Sequence, residues 1–254
     1  MPVTVHKHLG VIAATLAYEK DLDPNAYPRY RKLTLTVFRS GKRVFTEPLC
    51  ARARCEPSTF GGALAVRNLW GNAQAEVLVE LYTGGAHCCF ETEIVISAAG
   101  AWRTIHHDWG DLGYRGQWHD KTYWFITGDD RFAYAFTDFA DSSFPTAVWS
   151  IDGVGHLVTT TRQRLDLVAA NATTLWKGYL EDKGTRTTDV RGVLGAWCAD
   201  EYLLGAAATC DSALQDALKA GLLRVGVHIA GFGPTDAAYI KELDRDLVAW
   251  GYAR

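Results

Sequence analysis

Apolar and polar residues alternate strictly in several stretches of the first 160 positions. In 32–38, Leu33, Leu35 and Val37 alternate with Thr34 and Thr36. A period of two marks a strand with one buried face. Ser40-Gly41-Lys42 then supplies a turn, and 43–46 returns. The same plan recurs at 92–97, which turns at Ala99-Gly100 and returns through 102–106. It recurs again at 147–151, turning at Asp152-Gly153 and returning through 157–160. Such runs around Gly-containing turns predict hairpins. Each hairpin follows an apolar strand: 11–18, 76–82, and 123–126 together with 132–136, where Phe132, Tyr134 and Phe136 share a face. The spacing suggests a weak internal repeat of roughly 45–50 residues, the range of propeller blades and related meanders. Three units fall short of a closed propeller, which needs about four blades or more.

After residue 160 the rhythm changes to three-and-four spacing. Leu165, Val168, Ala172, Leu175 and Tyr179 fit one helix face; Ala213, Leu214, Ala217 and Leu218 fit a second; Ile240, Leu243, Leu247 and Trp250 fit a third. A further helix is expected over 193–204, ending at Gly205, and Gly233-Pro234-Thr235 reads as a helix start with Thr235 as N-cap. The predicted fold class is therefore α+β. An antiparallel β-meander (an incomplete propeller-like sheet or a sandwich) at 1–160 precedes a small helical domain at 161–254.

Composition refines this picture. The chain is 48% hydrophobic and 22% charged, within the globular range. Its 12% aromatic content, with nine Trp, suits pleated half-buried surfaces. A net charge of −3 without a basic block lacks the footprint of a nucleic-acid binder. The apolar stretch 9–18 is far shorter than the roughly 20 residues of a membrane span. No clean small-residue cleavage site follows it, so it reads as a strand and not a leader.

Six cysteines, Cys50, Cys55, Cys88, Cys89, Cys198 and Cys210, are an even number, four in the front part and two in the tail. Each part can then close its own bridges, with Cys198 reaching Cys210 in the next helix. The pattern favours an oxidising compartment, secreted or periplasmic. Adjacent Cys88 and Cys89 point to opposite faces if extended, so they are expected to pair with different partners, such as Cys50 and Cys55.

The run Asn68-Leu69-Trp70-Gly71-Asn72-Ala73-Gln74-Ala75-Glu76 before an apolar strand resembles the Asp-rich loop of FG-GAP or VCBS-type repeats. Only Asn68, Asn72 and Glu76 occupy ligand-type positions, and Trp70 stands where that pattern has a carboxylate. Asp21-Leu22-Asp23-Pro24-Asn25 keeps a D-x-D-x-N core without the Gly or the closing acid. Hard cations need several oxygens at once. The expectation is no cofactor, with Asp21, Asp23 and Asn25 as the place where calcium would sit. The string 82–89, with 129–134 downstream, also resembles uncharacterised secreted bacterial proteins carrying VCBS-like repeats and a helical tail. That resemblance implies architecture and compartment and carries no catalytic residues.

Candidate chemistry is sparse. His106, His107, Asp108, Asp111, His119 and Asp120 crowd 105–120, and carboxylate pairs occur at Glu91/Glu93, Asp129/Asp130 and Asp138/Asp141. His6 and His8 share one strand face. No nucleophile elbow, P-loop, H-E-x-x-H or Rossmann fingerprint is present. The leading expectation is an extracytoplasmic, non-enzymatic module binding a protein or glycan through β-domain loops, with Tyr82, His87, Trp109, Trp118, Asp129 and Arg131 as contacts. The alternative is a cell-envelope hydrolase using His and Asp/Glu of 105–141. Neither nucleic acid nor a membrane span enters the expected partners.

Overall fold

A computed structural model describes residues 1–21, 29–50, 55–58, 61–71, 74–85, 89–98, 100–185, 188–224 and 233–253. The protein is α+β, and its strands form three open sheets. The chain divides into two compact units: a β unit of Met1–Thr127 with Trp149–Thr159, and a helical unit of Gly128–Val148 with Thr160–Arg254.

The first sheet is an antiparallel meander of β1 (Pro2–Leu9), β2 (Ile12–Asp21), β3 (Arg29–Arg39) and β4 (Lys42–Pro48), in that order. The stretch 9–18 is thus a strand interrupted at its start by the Gly10-Val11 turn. Alternation does what the sequence implies. Ile12, Ala14 and Leu16 of β2 are buried, and so are Leu33, Leu35 and Val37 of β3. His6 faces outward, its Nδ1 2.9 Å from the Thr15 hydroxyl.

The second sheet centres on β7 (Glu76–Tyr82), flanked on one side by β8 (Phe90–Ala98) and β9 (Ala101–Asp108). On its other side it pairs antiparallel with the short strands β5 (Glu56–Pro57) and β6 (Leu64–Arg67). β7 is buried on both faces, which explains its nearly continuous apolar run. Val77, Val79 and Leu81 join the core formed with the first sheet; Leu78 joins Ile94, Ile96, Trp109 and Phe125 on the opposite side. The third sheet runs β10 (Arg115–His119), β11 (Thr122–Gly128), β12 (Thr146–Ile151), β13 (Leu157–Thr159).

One strand expected from the sequence is absent. Residues 130–132 form a short 3-10 turn and 133–135 continue as turns. Phe132 and Phe136 are buried in the helical unit's core, while Tyr134 is 46% exposed with φ +58°. Alternating aromatics arise here from a tight turn that turns two rings inward and one outward.

The helical unit contains α1 (Leu165–Asp182), α2 (Val190–Leu203), α3 (Ala207–Lys219) and α4 (Asp236–Ala249), close to the expected spans. Every residue of α2 from Val190 to Asp200 is buried, as expected of a central helix. Gly192 lets the preceding turns come close: a Cβ there would lie 2.2 Å from the Asp141 carbonyl oxygen. Gly205 follows α2 at φ +78°, the left-handed stop read from the sequence. Thr235 does occupy the N-cap of α4, but its side chain makes no capping hydrogen bond. Cys198 pairs with Cys210 across α2 and α3, as expected. Cys50 pairs with Cys55 and not with Cys88 or Cys89, because a five-residue separation brings their Cα atoms to 5.6 Å. Cys89 is disulfide-bonded, and Cys88 lies outside the described residues.

Candidate binding cleft in the β unit

β1 and β2 pair in register, Val5 opposite Leu16 and Lys7 opposite Ala14. By strand alternation Val5, Lys7, Tyr18 and Lys20 lie on the face that buries Ala14 and Leu16. A lysine on the core-facing side of a strand needs an opening beside it, because an ammonium is not left dry and unpaired. The opening is present: a cleft of about 310 Å³ lined by Val5, Lys7, Tyr18, Lys20 and Tyr30, with Pro57, Ser58 and 61–64. The Tyr18 and Tyr30 rings meet edge-on with centroids 5.7 Å apart, and the Lys20 ammonium stands 5.7 Å from the Tyr30 centroid. Burial beside Tyr30 holds the Tyr18 phenol above its ordinary pKa, so it remains a neutral donor. Nearby carboxylates are already engaged: Glu19 pairs with Lys32 at 2.6 Å and Asp21 with Arg31 at 2.9 Å. Among the described residues no carboxylate pairs with Lys7 or Lys20. Chemically, the cleft offers two cations and two aromatic surfaces.

A second polar group crosses the middle sheet. Glu80, Thr92 and His107 stand opposite one another on β7, β8 and β9. The Thr92 hydroxyl donates to Glu80 at 2.6 Å, Tyr114 donates to the other Glu80 oxygen at 2.6 Å, and the Trp109 indole donates to Thr92 at 2.8 Å. Burial raises the Glu80 pKa while these two donors oppose the rise. His107 packs between Trp109 and Trp149, at centroid distances of 4.0 and 4.6 Å, and burial lowers its pKa. Both Glu80 oxygens are thus occupied, and this network ties strands together.

The residues singled out from the sequence do not converge. Tyr82 is half-buried, stacks on Phe90 and donates to the Gly85 carbonyl. Trp109 is 2% exposed; its ring lies parallel to Phe125 in the core and not at a loop surface. Trp118 is 45% exposed on β10, against the edge of Tyr123. Asp129 and Arg131 belong to the helical unit and pair with each other. Asp129 caps the 3-10 turn, receives the Tyr252 hydroxyl at 2.7 Å, and holds an Arg131 guanidinium that lies over Trp250. His87 lies outside the described residues. So do Asp23 and Asn25, whereas Asp21 is described and serves Arg31. Among the described residues no cluster of three metal-ligating side chains occurs.

At both ends of the 68–76 run, side chains bond nearby backbone. The Asn68 side-chain oxygen accepts the Gly71 N–H at 2.8 Å, and Glu76 accepts the Leu69 N–H at 2.7 Å. Both side chains spend an oxygen on backbone, which a cation would otherwise claim. Burial pushes the Glu76 carboxyl up to about 7. Of the histidines at 105–120, His106 meets Glu93 at 3.1 Å and His119 approaches Asp120 at 3.6 Å; both imidazoles are about half exposed.

In the helical unit one buried cation is paired and one buried carboxyl is held by neutral donors. Arg191 has no exposed surface and its Nε meets Asp189 at 2.9 Å, with a further nitrogen donating to the Pro234 carbonyl. The Tyr239 hydroxyl donates to the Arg191 carbonyl at 2.7 Å. Asp200 is also fully buried, accepting from the Thr146 N–H at 3.0 Å and from Asn171 at 2.7 Å. Burial outweighs those donors and pushes its carboxyl up to about 7.

The lysines of the cleft escaped sequence reading, although their signal was there. Val3, Val5 and Lys7, then Tyr18 and Lys20, continue the buried alternation with a charged residue at its end. Among known proteins, the chain is similar to a probable thylakoid lumen protein of Synechocystis sp., 26% identical over 144 residues. The match covers 53% of this chain and 41% of that relative, so it spans about two fifths of the relative's length. No family model matches the chain, and no solved structure matches it. Among the described residues no helix is long and apolar enough to cross a membrane.

Proposed function

We propose that the chain is an extracytoplasmic binding module, non-enzymatic, that recognises a glycan or protein through the β unit. The observation that carries this reading is the Lys7–Tyr18–Lys20–Tyr30 cleft, a concave site with polar groups at its rim. The compartment is supported by the lumenal description of the similar Synechocystis protein and by the Cys50–Cys55 and Cys198–Cys210 bridges. The FG-GAP-like character of 68–76 belongs to the same proposal. Its Asn68 and Glu76 oxygens accept backbone N–H groups, and the proposal assigns no calcium to it.

The experiment is a heteronuclear NMR screen of the full chain against extracytoplasmic glycans and peptides, with turnover followed in the same tubes. Saturable shifts at Tyr18 and Tyr30 without turnover are expected. Product release, or saturable shifts confined to the surface around His106 and Glu93, would overturn the reading. Product release would favour a cell-envelope hydrolase using His and Asp/Glu of 105–141, where His106 lies 3.1 Å from the neighbouring-strand Glu93.

A further inference from the structure

We infer that the ligand of this cleft is a short acidic oligosaccharide, held by carboxylates at Lys7 and Lys20 and by ring faces on Tyr18 and Tyr30. The inference rests on the binding-module reading and narrows it to one ligand class. The first argument is charge. Glu19 and Asp21, the acids nearest in the strand, are matched by Lys32 and Arg31. Lys7, exposed, and Lys20, half-buried, are therefore open to a ligand, and the partial enclosure of Lys20 strengthens such a pair over one in bulk water.

The second argument is shape. Lys7 stands opposite Ala14, whereas Lys20 lies six residues further along the same strand. At strand rise this is roughly 20 Å of backbone between the two lysine anchors. One small anion cannot reach both ends; a ligand with repeated, separated carboxylates can. Tyr18 and Tyr30 lie at the Lys20 end and present apolar faces with phenolic hydroxyls. A sugar ring, apolar on its face and polar at its rim, matches that surface, as amphipathic aromatic side chains commonly do at binding sites. The cleft volume of about 310 Å³ is at the small end for ligand sites, which suits a short segment lying in a trough.

The backbone opposite is compatible with close approach. Gly61 and Gly62 line the trough with φ of +75° and +97°, and no atom lies within 4 Å of where a Cβ would stand. That leaves open space on the wall facing the lysines.

The test titrates the full chain with acidic trisaccharides (galacturonate, mannuronate and glucuronate-containing) and with their fully methyl-esterified, neutral forms. At least one acidic trisaccharide is expected to shift the Tyr18 and Tyr30 signals saturably and to weaken as salt is raised. Its esterified form is expected to bind at least about tenfold more weakly. A Lys7→Gln/Lys20→Gln variant should lose affinity by a similar factor, and Lys7→Arg/Lys20→Arg should retain most of it. Equal binding of acidic and esterified forms would overturn the charge assignment and leave a binding module standing. If no saccharide shifts these signals but a peptide does, the ligand class is wrong and the module reading survives. A cleft silent to every glycan and peptide takes down both.

Discussion

In the helical unit, Arg191 is wholly enclosed and its guanidinium is matched by Asp189 two residues earlier. In the β unit, half-buried Lys20 and exposed Lys7 border an open cleft, and among the described residues no carboxylate meets them. The two regions thus place cations in different settings. The first encloses the charge and satisfies it within the chain. The second leaves the charge beside an opening, where water or a ligand can meet it. A buried charge is tolerated only when paired, whereas a cation open to water needs no partner in the chain.

The largest expected effect breaks the paired case. Asp189→Ala strands a buried guanidinium and should cost about 3–5 kcal/mol in denaturant unfolding, with much of the loss recovered in a Asp189→Leu/Arg191→Met double variant. A loss below about 1 kcal/mol would mean that Arg191 reaches water after all. Next come the bridges. Loop-closure entropy predicts about 3 kcal/mol for removing Cys198–Cys210, twelve residues apart, and about 2 kcal/mol for Cys50–Cys55, five apart. Thermal unfolding of the paired Cys→Ala variants would measure that order. Gly192→Ala gains helix propensity of about 1 kcal/mol yet drives a methyl against the Asp141 carbonyl, so a net loss of about 1–3 kcal/mol is expected.

A pH series sharpens the comparison across both units. Glu76 in the β unit and Asp200 in the helical unit each have a folded pKa near 7. Both values lie above those of unfolded carboxylates, about 4. The folded chain therefore holds these protons more tightly than the unfolded chain. The stability this confers is fully present below about pH 4 and is lost as pH rises through about 7, at up to about 1.4 kcal/mol per pH unit per group. Glu76→Gln and Asp200→Asn should each flatten the slope; an unchanged slope in either would show that its carboxyl is already ionised. The smallest effect is the most telling: Lys7→Gln/Lys20→Gln should shift stability by no more than about 0.5 kcal/mol while changing binding.

Much of the architecture was legible in the residue pattern. The three hairpins, the four helices and the Cys198–Cys210 bridge follow from local rules: alternation, three-and-four spacing and Gly stops. The Cys50–Cys55 bridge was missed although it is local, whereas other failures depended on a partner distant in the chain. Phe132, Tyr134 and Phe136 alternate like a strand, but the helical core claims the outer two. Trp109 precedes a glycine as loop residues do, yet Thr92 takes its indole proton and Phe125 its ring face. Lys7 and Lys20 lie thirteen positions apart in sequence, and only the hairpin register puts them along one trough. Asp129 and Arg131, expected as binding contacts, instead pair with one another two residues apart.

The discontinuous course of the helical unit bears on how the chain is made. Residues 128–148 belong to it, but 149–159 return to the β unit before the rest of the helical unit begins. Phe132 packs 4.8 Å from Trp250, and Phe136 packs 5.5 Å from Tyr239. A nascent chain leaving the ribosome therefore cannot complete the packing of these two rings until α4 and the residues just after it have been made. Contacts that span more than a hundred residues form late and slowly, and such rings are where a holding chaperone would grip.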